Sequence, residues 1–338
     1  MRKPDLKQSD VVESLAAMFG SGFDVGGITN LELLPNGMVA SVYSFYVIRD
    51  GDASGYIARF LSGDRGEAAR RTKFVVDMIG QSGSPFPVAN VIGIADVRMR
   101  EYTPVAEEGA GGGLVDISVI VMERLEGDPL EQIQDKPHLV PAVVASMAAI
   151  RQVDVSSTSG WGAIGADGNG NFDSWRDALA SVSAGIDEFV TGDARKIYRE
   201  EDFDYFYGRL AEYWEAMPAS DRSLVHADWG WDNVLILDGE VSAVVDWDGA
   251  LYGDPLLDPA RQDFYYPEID FRSRFAEFYE QIGWSPENFD ERWLACQLWA
   301  ILNDLKWYSV AGWDEPYAWI KERTRNLLGE GPAVGRHP

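Results

Sequence analysis

Three oxygen-bearing side chains lie within one short part of the chain and could act together in phosphate chemistry. They are Asp228, Asn233 and Asp246. Carboxylate and amide oxygens are ligands that Mg²⁺ accepts, and Mg²⁺ usually completes its shell with water and substrate phosphates. A further carboxylate beside such an ion could accept the proton of an alcohol. We therefore predict that Asn233 and Asp246 bind Mg²⁺ and that Asp228 accepts a proton from a substrate hydroxyl.

A β-hairpin is predicted to position the Asn–Asp pair. Two apolar runs within residues 233–246 are separated by an Asp-Gly dipeptide at 238–239, and both turn positions favour a positive φ. A two-residue turn would place Asn233 opposite Val244, with Asp246 two residues further along the same face. On that register the two metal candidates would be diagonal neighbours, about 7–8 Å apart at the backbone.

The spacing of these residues matches a template for phosphoryl transfer. In that template a loop Asp orients the acceptor, while an Asn after it and an Asp beyond the next strand bind Mg²⁺. The protein-kinase signature itself is absent, because Ala227 stands where that signature has Arg and Asp-Trp-Asp at 246–248 replaces Asp-Phe-Gly. The sequence therefore predicts a kinase-like site that lacks the protein-kinase signature.

The chain resembles the aminoglycoside phosphotransferase family in several separate segments. The resemblance is greatest to members that act on hygromycin B. It implies transfer of the γ-phosphoryl group of ATP or GTP to a hydroxyl of an aminoglycoside or aminocyclitol antibiotic, with a hygromycin B-like acceptor favoured. The segments that carry the resemblance are residues 1–6, 158–162, 175–177, 224–253, 245–247 and 253–255.

Two other functions fit the same residues. A kinase for a small metabolite such as choline or homoserine would share the fold and the site. An inactive nucleotide-binding module would keep the fold, but the joint presence of Asp228, Asn233 and Asp246 argues against it. The acceptor hydroxyl and the choice between ATP and GTP stay open at this point.

The order of the predicted elements indicates an α+β protein, because an antiparallel β-rich opening is followed by helices. The resemblance implies a protein-kinase-like two-lobed fold with a small antiparallel β-rich N-lobe and a larger, mainly helical C-lobe. The predicted strands are residues 31–34, 41–48, 55–61, 91–97 and 114–122; the helices include 65–79, 137–152, 271–282, 286–310 and 315–328, and residues 156–171 are predicted to be irregular. The implied domains are a nucleotide-binding N-lobe at 1–123, a hinge at 124–127, a C-lobe at 128–332 with the catalytic loop and the metal-binding hairpin, and a tail at 333–338.

Three residues of the N-lobe are candidates for holding the nucleotide phosphates. Arg59 is an unusual charge within an apolar strand; the resemblance implies that it binds the α- and β-phosphates, and a surface charge on an edge strand is the alternative. Ser41 ends the turn 36–41, which lies where kinase-like folds cover the phosphates but which also fits an ordinary hairpin turn. Glu67 is a candidate acidic partner of Arg59 from the following helix, with a solvated helix charge as the alternative.

The segment that links the lobes is a candidate for binding adenine. The resemblance implies that Glu123 and Leu125 hydrogen-bond the base through their backbone groups. The residues alone indicate only a strand that runs into a turn.

Acidic and aromatic side chains near and beyond the hairpin are candidates for binding the acceptor. The resemblance implies that such residues surround ammonium groups and stack on sugar faces. Each downstream acid also fits a solvated helix charge, and the acid beside the metal candidates fits an exposed turn charge. The candidates are Asp248, Asp258, Asp263, Tyr265 and Glu268.

Composition limits the kinds of partner. The 338 residues carry a formal net charge of −26 and a pI near 4.4, which argues against nucleic acid because its phosphates require a basic surface. The charge would attract a cationic small molecule, although solubility alone explains it equally well. Cys296 is the single cysteine, so an internal disulfide framework and a zinc cluster are excluded.

No targeting or membrane segment is predicted. The first ten residues lack the apolar core of a signal peptide, and the longest charge-free apolar run, 139–150, is too short to span a bilayer. We expect a soluble, cytoplasmic monomer that binds a nucleotide and a cationic small molecule.

Overall fold

The computed structural model describes residues 4–19, 27–35, 40–49, 51–62, 66–83, 88–100, 113–134, 136–217 and 222–330. Residues 36–39 of the predicted phosphate-covering turn and the tail at 333–338 lie outside this part of the chain. The helices and strands in chain order are α1 (Gln8–Met18), β1 (Ile28–Leu34), β2 (Ala40–Arg49), β3 (Asp52–Ser62), α2 (Gly66–Gln81), β4 (Val91–Arg100), β5 (Leu114–Glu123), β6 (Asp128–Pro129), α3 (Val140–Ala149), β7 (Trp161–Ile164), β8 (Gly170–Phe172), α4 (Trp175–Ala180), α5 (Ile186–Phe189), α6 (Glu200–Ala211), β9 (Ser223–Val225), β10 (Val234–Leu237), β11 (Glu240–Val244), β12 (Leu251–Gly253), α7 (Leu257–Tyr265), α8 (Phe271–Gln281), α9 (Phe289–Ala311) and α10 (Asp314–Leu327). Two compact units result, Met1–Leu130 with Asn233–Asp248 and Glu131–Asp232 with Gly249–Pro338.

The first unit is built on a five-stranded sheet of order β1-β2-β3-β5-β4, in which neighbouring strands are antiparallel. β-Branched and aromatic residues are frequent in the strands, as expected for a pleated surface buried on one face. Phe45, Phe60 and Val119 are completely buried and pack with Val11 and Leu15 of α1. The predicted antiparallel opening is confirmed, because all five β runs read from the sequence lie within these strands.

The β10–β11 hairpin has the turn that its sequence predicts. Asp238 and Gly239 both have a positive φ, of 52° and 84°. Leu237 pairs with Glu240 across the turn. The Asp-Gly dipeptide therefore sets the start of the ladder as expected.

The register of the hairpin shifts by one residue further from the turn. Val234 pairs with Val244, and the N–H of Val245 donates to the carbonyl of Asn233 at 2.9 Å. Asn233 thus lies opposite Val245, so the predicted pairing of Asn233 with Val244 is wrong by one residue. The cause is a β-bulge at Ser242, which has no partner in the ladder.

Contacts with β6 place this hairpin in the first unit. β10 pairs with β6, and the hydroxyl of Ser242 donates to the carbonyl of Glu126 at 2.7 Å. Gly127 has a φ of +133°, and a Cβ there would lie 2.6 Å from the Ser242 hydroxyl, so this close approach requires glycine. The hairpin was predicted as part of the helical lobe at 128–332, whereas the structure groups it with the β-rich unit.

The second unit is centred on α9, a helix of 23 residues. Helices α6, α7 and α10 pack against it. Its Leu298, Leu302 and Leu305 are completely buried and share one apolar cluster with Phe206 of α6 and Ile320 of α10. The three predicted C-terminal helices are confirmed as α8, α9 and α10.

A small sheet of order β8-β7-β12-β9 also lies in the second unit. β7 and most of β8 fall within residues 156–171, so the prediction of an irregular stretch is wrong there. Strands of three or four residues contain too few alternations to be recognised from sequence. β9 and β12 are antiparallel, with Val225 opposite Leu251, and the chain enters the candidate active site directly after Val225. Among the helices of the described ranges, none has both the length and the apolar character needed to cross a membrane.

Candidate active site

Asp228 lies on an exposed turn directly after β9. Its side chain is 60% exposed, whereas the flanking His226 and Trp229 are completely buried. The backbone N–H of Asp228 donates to Nδ1 of His226 at 3.3 Å. Ala227 has a φ of +64°, a left-handed conformation that costs a residue with a Cβ roughly 1–2 kcal/mol. Neighbouring elements must therefore hold this turn in the shape that presents Asp228 to solvent.

Helix α7 supplies side chains that hold the turn. Asp258 is buried, and its two carboxylate oxygens accept the N–H groups of His226 and Ala227, both at 2.8 Å. Burial raises the pKa of the Asp258 carboxyl, although His226 and the two N–H donors act in the opposite direction. Gln262, four residues later, donates its side-chain amide to the carbonyl of Trp229. One face of α7 thus fixes the backbone on both sides of Asp228.

Arg261 on the same face of α7 approaches the carboxylate of Asp228. Its Nη1 lies 3.6 Å from Oδ1 of Asp228, and its Nε and Nη2 reach the two oxygens of Asp304 at 3.3 and 3.1 Å. Burial lowers the pKa of Arg261, but the surrounding acidic groups, Asp304 first, outweigh burial and raise the pKa well above its ordinary value. Arg261 is therefore a fixed positive charge beside the turn.

The predicted metal ligands lie at the end of the hairpin, in the first unit. Arg59 of β3 donates through Nη1 to Oδ1 of Asp246 at 3.0 Å. It also bonds both carboxylate oxygens of Asp248, at 2.9 and 2.5 Å. Thr72 of α2 donates its hydroxyl to Asp248 at 2.6 Å. Asp246 has a φ of +63°, so it stands just beyond the regular ladder of β11.

These contacts correct two expectations about Arg59. Its acidic partners are Asp246 and Asp248 in place of Glu67, which is exposed in the first turn of α2. β3 lies between β2 and β5, so Arg59 is a buried charge on a central strand and the alternative of an edge-strand surface charge is wrong. Burial lowers the pKa of Arg59, but the two carboxylates outweigh burial and raise it above its ordinary value.

The acceptor candidate Asp248 therefore has a structural partner. Its carboxylate is engaged by Arg59 and Thr72 and is 24% exposed. An acid held in this way is better suited to fixing Arg59 than to binding a substrate ammonium group, and the assignment of Asp248 to the acceptor is corrected accordingly.

Asn233 and Asp246 offer oxygen ligands of the kind that Mg²⁺ takes. Asn233 is 9% exposed, and the side chain of Asp246 is 42% exposed. Asn233 lies opposite Val245, and Asp246 is the next residue after Val245. The bulge therefore places Asn233 and Asp246 in neighbouring positions at the end of the hairpin. An amide and a carboxylate would leave the remaining positions of an octahedral shell to water and phosphate oxygens. His, Cys, Asp and Glu side chains of the described residues form no group of three or more that could hold a metal ion, so the fit rests on this mixed pair.

The remaining nucleotide candidates also lie in the first unit. Ser41 is buried, and its hydroxyl donates to the carbonyl of Pro4, so its side chain is committed to the backbone near the chain start. The N–H of Glu123 donates to the carbonyl of Asn90 at 2.9 Å, so Glu123 could offer adenine its carbonyl oxygen but not its N–H. Leu125 follows β5 and is half-buried.

Two acceptor candidates on α7 have other tasks in the structure. Asp258 is corrected from a substrate contact to a residue that holds the Asp228 turn, because both of its oxygens accept backbone N–H groups. Tyr265 packs its ring on Trp319, with centroids 5.8 Å apart, and donates its hydroxyl to Asp304 at 2.7 Å. The ring of Tyr265 is therefore partly buried against the apolar cluster of the second unit, and its stacking on a sugar stays a prediction.

The last two acceptor candidates differ in exposure. Asp263 accepts a hydrogen bond from the indole N–H of Trp293 at 3.3 Å, and burial raises the pKa of its carboxyl. Glu268 is exposed in the turn after α7. Of the two, Glu268 has the exposure that contact with a soluble cation needs.

An aromatic and acidic surface follows the turn, and three of its members, Trp231, Asp232 and Glu131, were not predicted from the sequence. Trp231 stacks on Tyr266 with centroids 4.1 Å apart and an interplanar angle of 15°. Burial first, and then the nearby carboxylates of Asp232, Glu131 and Glu268, raise the pKa of Tyr266. These three acids are exposed. Carboxylates beside aromatic rings suit a cation that also carries apolar or sugar faces.

An antiparallel β-rich unit, a helical unit and an exposed Asp followed by an Asn–Asp pair define a kinase-like phosphotransferase. The chain belongs to the phosphotransferase enzyme family, whose profile matches residues 37–295. The predicted family and enzyme class are thereby confirmed.

Two relatives of the chain are a hygromycin B kinase and a viomycin phosphotransferase. It is 25% identical to hygromycin-B 4-O-kinase of Escherichia coli over 351 residues, which cover 99% of this chain and 90% of that protein. It is 30% identical to viomycin phosphotransferase of Streptomyces vinaceus over 182 residues, which cover 51% of this chain and 58% of that protein.

Solved structures confirm the kinase-like fold. A thermostable mutant of aminoglycoside phosphotransferase APH(4)-Ia, crystallised with AMP-PNP and hygromycin B, superposes with a TM-score of 0.71 at 25% identity, covering 96% of this chain and 100% of that chain. Macrolide 2'-phosphotransferase type I superposes with a TM-score of 0.60 at 15% identity, covering 98% of this chain and 99% of that one, which is a likeness of fold alone.

Proposed function

We propose that the chain transfers the γ-phosphoryl group of ATP or GTP to a hydroxyl of an aminoglycoside or aminocyclitol, with hygromycin B as the first candidate acceptor. The observation that carries this proposal is the exposed carboxylate of Asp228 on a turn that buried Asp258 holds by its backbone. An Asn–Asp pair suited to Mg²⁺ follows in the same segment. Family membership supports the reaction class.

Asp228 is assigned the role of orienting the acceptor hydroxyl and accepting its proton. The acceptor O–H bond breaks and its proton moves to the Asp228 carboxylate, while the acceptor oxygen bonds to the γ-phosphorus. The bond from that phosphorus to the bridging oxygen breaks, and the nucleoside diphosphate leaves. Positioning and electrostatic stabilisation account for most of the catalysis in such a transfer.

The nucleotide is assigned to residues of the first unit. Asn233 and Asp246 would hold Mg²⁺, which when bound neutralises charge on the phosphates. Arg59 carries a fixed charge suited to the α- and β-phosphates. The backbone groups of Glu123 and Leu125 are assigned to adenine. Ser41 is assigned to the phosphate cover through its backbone, since its hydroxyl is already bonded.

The acceptor is assigned to the aromatic and acidic surface formed by Trp231, Tyr266, Asp232, Glu131 and Glu268. Its carboxylates favour ammonium groups, and the net charge of −26 favours the approach of a polycation. The relative named hygromycin-B 4-O-kinase supports hygromycin B as the acceptor to be tested first.

The wider assignments follow the same family pattern. We assign nucleotide binding to residues 1–123 and treat 124–127 as the hinge to the helical lobe at 128–332. We also propose a cytoplasmic monomer that acts without nucleic acid or membrane partners.

A panel of acceptors tests the proposal. Purified protein is incubated with MgATP or MgGTP and with hygromycin B, other aminoglycosides, viomycin, choline or homoserine, and nucleoside diphosphate release is followed by a coupled assay. We expect turnover with hygromycin B and a phosphorylated product in its mass spectrum. Turnover with choline or homoserine alone would identify a small-metabolite kinase. Nucleotide binding without turnover of any acceptor would identify an inactive module.

A further inference from the structure

Arg261 contacts the proposed catalytic carboxylate from the buried side of the turn. Its Nη1 lies 3.6 Å from Oδ1 of Asp228, and its side chain is 17% exposed against 60% for Asp228. This separation is longer than a normal N–H···O hydrogen bond. The contact is therefore an ion pair, in which the charge of Arg261 attracts the Asp228 carboxylate toward one side of the turn.

Other side chains hold the guanidinium of Arg261 in one orientation. Nε and Nη2 form a fork to the two oxygens of Asp304 at 3.3 and 3.1 Å. The guanidinium carbon lies 5.3 Å from the ring centroid of Tyr265, within the range of a cation–π contact. The hydroxyl of Tyr265 bonds Asp304 at 2.7 Å and lies 3.3 Å from that of Tyr308. The plane and the ends of the guanidinium are therefore both determined.

The pairing with Asp304 makes this cation compatible with a cationic acceptor. An unpaired guanidinium beside Asp228 would repel the ammonium groups of an aminoglycoside. Asp304 is 13% exposed and compensates the charge of Arg261. Arg261 can thus act on Asp228 at short range while contributing little net charge to the acceptor surface.

We propose that Arg261 is a positioning residue for Asp228: it aims the carboxylate at the acceptor hydroxyl without touching the acceptor. The inference rests on the proposed function, in which Asp228 accepts the hydroxyl proton. A displacement of about 1 Å in such a group can cost up to about 10²-fold in rate. Helix α7 then fixes the backbone of the turn through Asp258 and the side chain of Asp228 through Arg261.

The variant Arg261→Lys tests the proposal with the charge retained. A lysine ammonium cannot reproduce the planar fork to Asp304 and also point toward Asp228. We expect kcat to fall by about 10- to 100-fold, while KM for the nucleotide stays unchanged. A lower kcat with an unchanged KM for the nucleotide distinguishes impaired positioning of the base from loss of the folded enzyme.

The matched control is Arg292→Lys. Arg292 is completely buried and forms the same two-bond fork, with Asp254, at 2.7 and 2.9 Å. Its carboxylate partner is Asp254, whereas Arg261 pairs with Asp304 and also approaches Asp228. We expect a lower melting temperature for this control and an unchanged kcat for the folded enzyme.

Chemical rescue gives a second readout. Arg261→Ala leaves space for a guanidinium ion beside Asp304. Guanidinium chloride, added below its unfolding range, should restore kcat in Arg261→Ala at constant melting temperature and should not raise kcat in Arg292→Ala.

The acceptor that the panel identifies is used in all these assays. Turnover by the wild type then tests the proposed function, and the ratio of variant to wild type tests the role of Arg261. A wild-type kcat in Arg261→Lys, or an equal loss of kcat in Arg261→Lys and Arg292→Lys, would overturn the proposal.

Discussion

Two turns carry the proposed catalytic and metal-binding aspartates, and the protein holds them in different ways. The turn of Asp228 is fixed through its backbone, because Asp258 accepts two consecutive N–H groups from it. The end of the hairpin is fixed through the functional carboxylate itself, because Asp246 accepts from Arg59. Both contain a non-glycine residue with a positive φ, +64° at Ala227 and +63° at Asp246, and both therefore depend on neighbours to offset strain.

The difference separates the chemical step from nucleotide binding. In the first turn, Asp258 and Gln262 bond backbone groups, and Arg261 faces the charge of Asp228. At the end of the hairpin, Arg59 already forms ion pairs with Asp246 and Asp248. A bound phosphate or metal ion would interact with these same charged groups. We therefore expect substitutions in the first turn to change kcat and substitutions in the second to change nucleotide affinity as well.

The largest effect should come from Asp228→Ala. Removing the proton acceptor should lower kcat by about 10²- to 10⁴-fold, with nucleotide affinity unchanged, because the nucleotide is assigned to the first unit. Coupled diphosphate release gives kcat, and calorimetric titration with AMP-PNP gives the affinity. Wild-type turnover in this variant would remove Asp228 as the base.

The next largest effect should come from Asp246→Ala, which should weaken nucleotide binding. Loss of a metal ligand should weaken Mg²⁺-dependent nucleotide binding by at least about 10- to 100-fold, and chelation of Mg²⁺ should weaken wild-type binding in the same way. The matched variant is Asp248→Asn, which disturbs the same Arg59 but removes no proposed ligand. Equal losses in the two variants would mean that Asp246 serves only the ion pair.

Asp258→Asn should sharpen the comparison by loosening only the first turn. An amide can accept one N–H but turns an NH₂ group toward the other, which should lower the free energy of unfolding by about 1–3 kcal/mol. The released turn should lower kcat by about tenfold, and nucleotide affinity should stay unchanged. Thermal melting and steady-state kinetics measure the two effects.

A buried carboxylate elsewhere in the second unit provides the control for that variant. Asp254→Asn disturbs the pair with Arg292 and should lower the melting temperature without lowering kcat. If both variants lose activity in proportion to stability, Asp258 has no specific role in the turn.

The smallest effect should come from Ser242→Ala at the bulge of the hairpin. Loss of the hydroxyl bond to Glu126 should lower the free energy of unfolding by about 0.5–1.5 kcal/mol. Nucleotide affinity should stay unchanged if Arg59 holds Asp246, and a measurable loss of affinity would show that the bulge itself sets the metal pair.

The sequence was most informative where a short pattern determines local structure. The five β runs of the first unit and the Asp-Gly turn have strong local signals. The register of the hairpin was predicted wrongly, because the bulge depends on a bond from Ser242 to Glu126, 116 residues away. A pairing of this kind leaves no local pattern in the chain.

The sequence indicated only some of the residues that hold Asp228 and its turn in place. Asp258, Arg261 and Gln262 recur at helical spacing between apolar residues, and that spacing indicates one shared face of a helix. Whether such a face is solvated or buried depends on tertiary packing, so Asp258 was assigned to the acceptor and the other two were missed. The partners of Arg59 were missed because Asp248 fits an exposed turn charge equally well.

The most direct test of the central difference is a paired titration of Asp228→Asn and Asp246→Asn with AMP-PNP and Mg²⁺, followed by calorimetry. We expect Asp228→Asn to bind the nucleotide as the wild type does and Asp246→Asn to bind it at least about 10- to 100-fold more weakly. Equal affinities in the two variants, or a loss confined to Asp228→Asn, would contradict the separation of the chemical step from nucleotide binding.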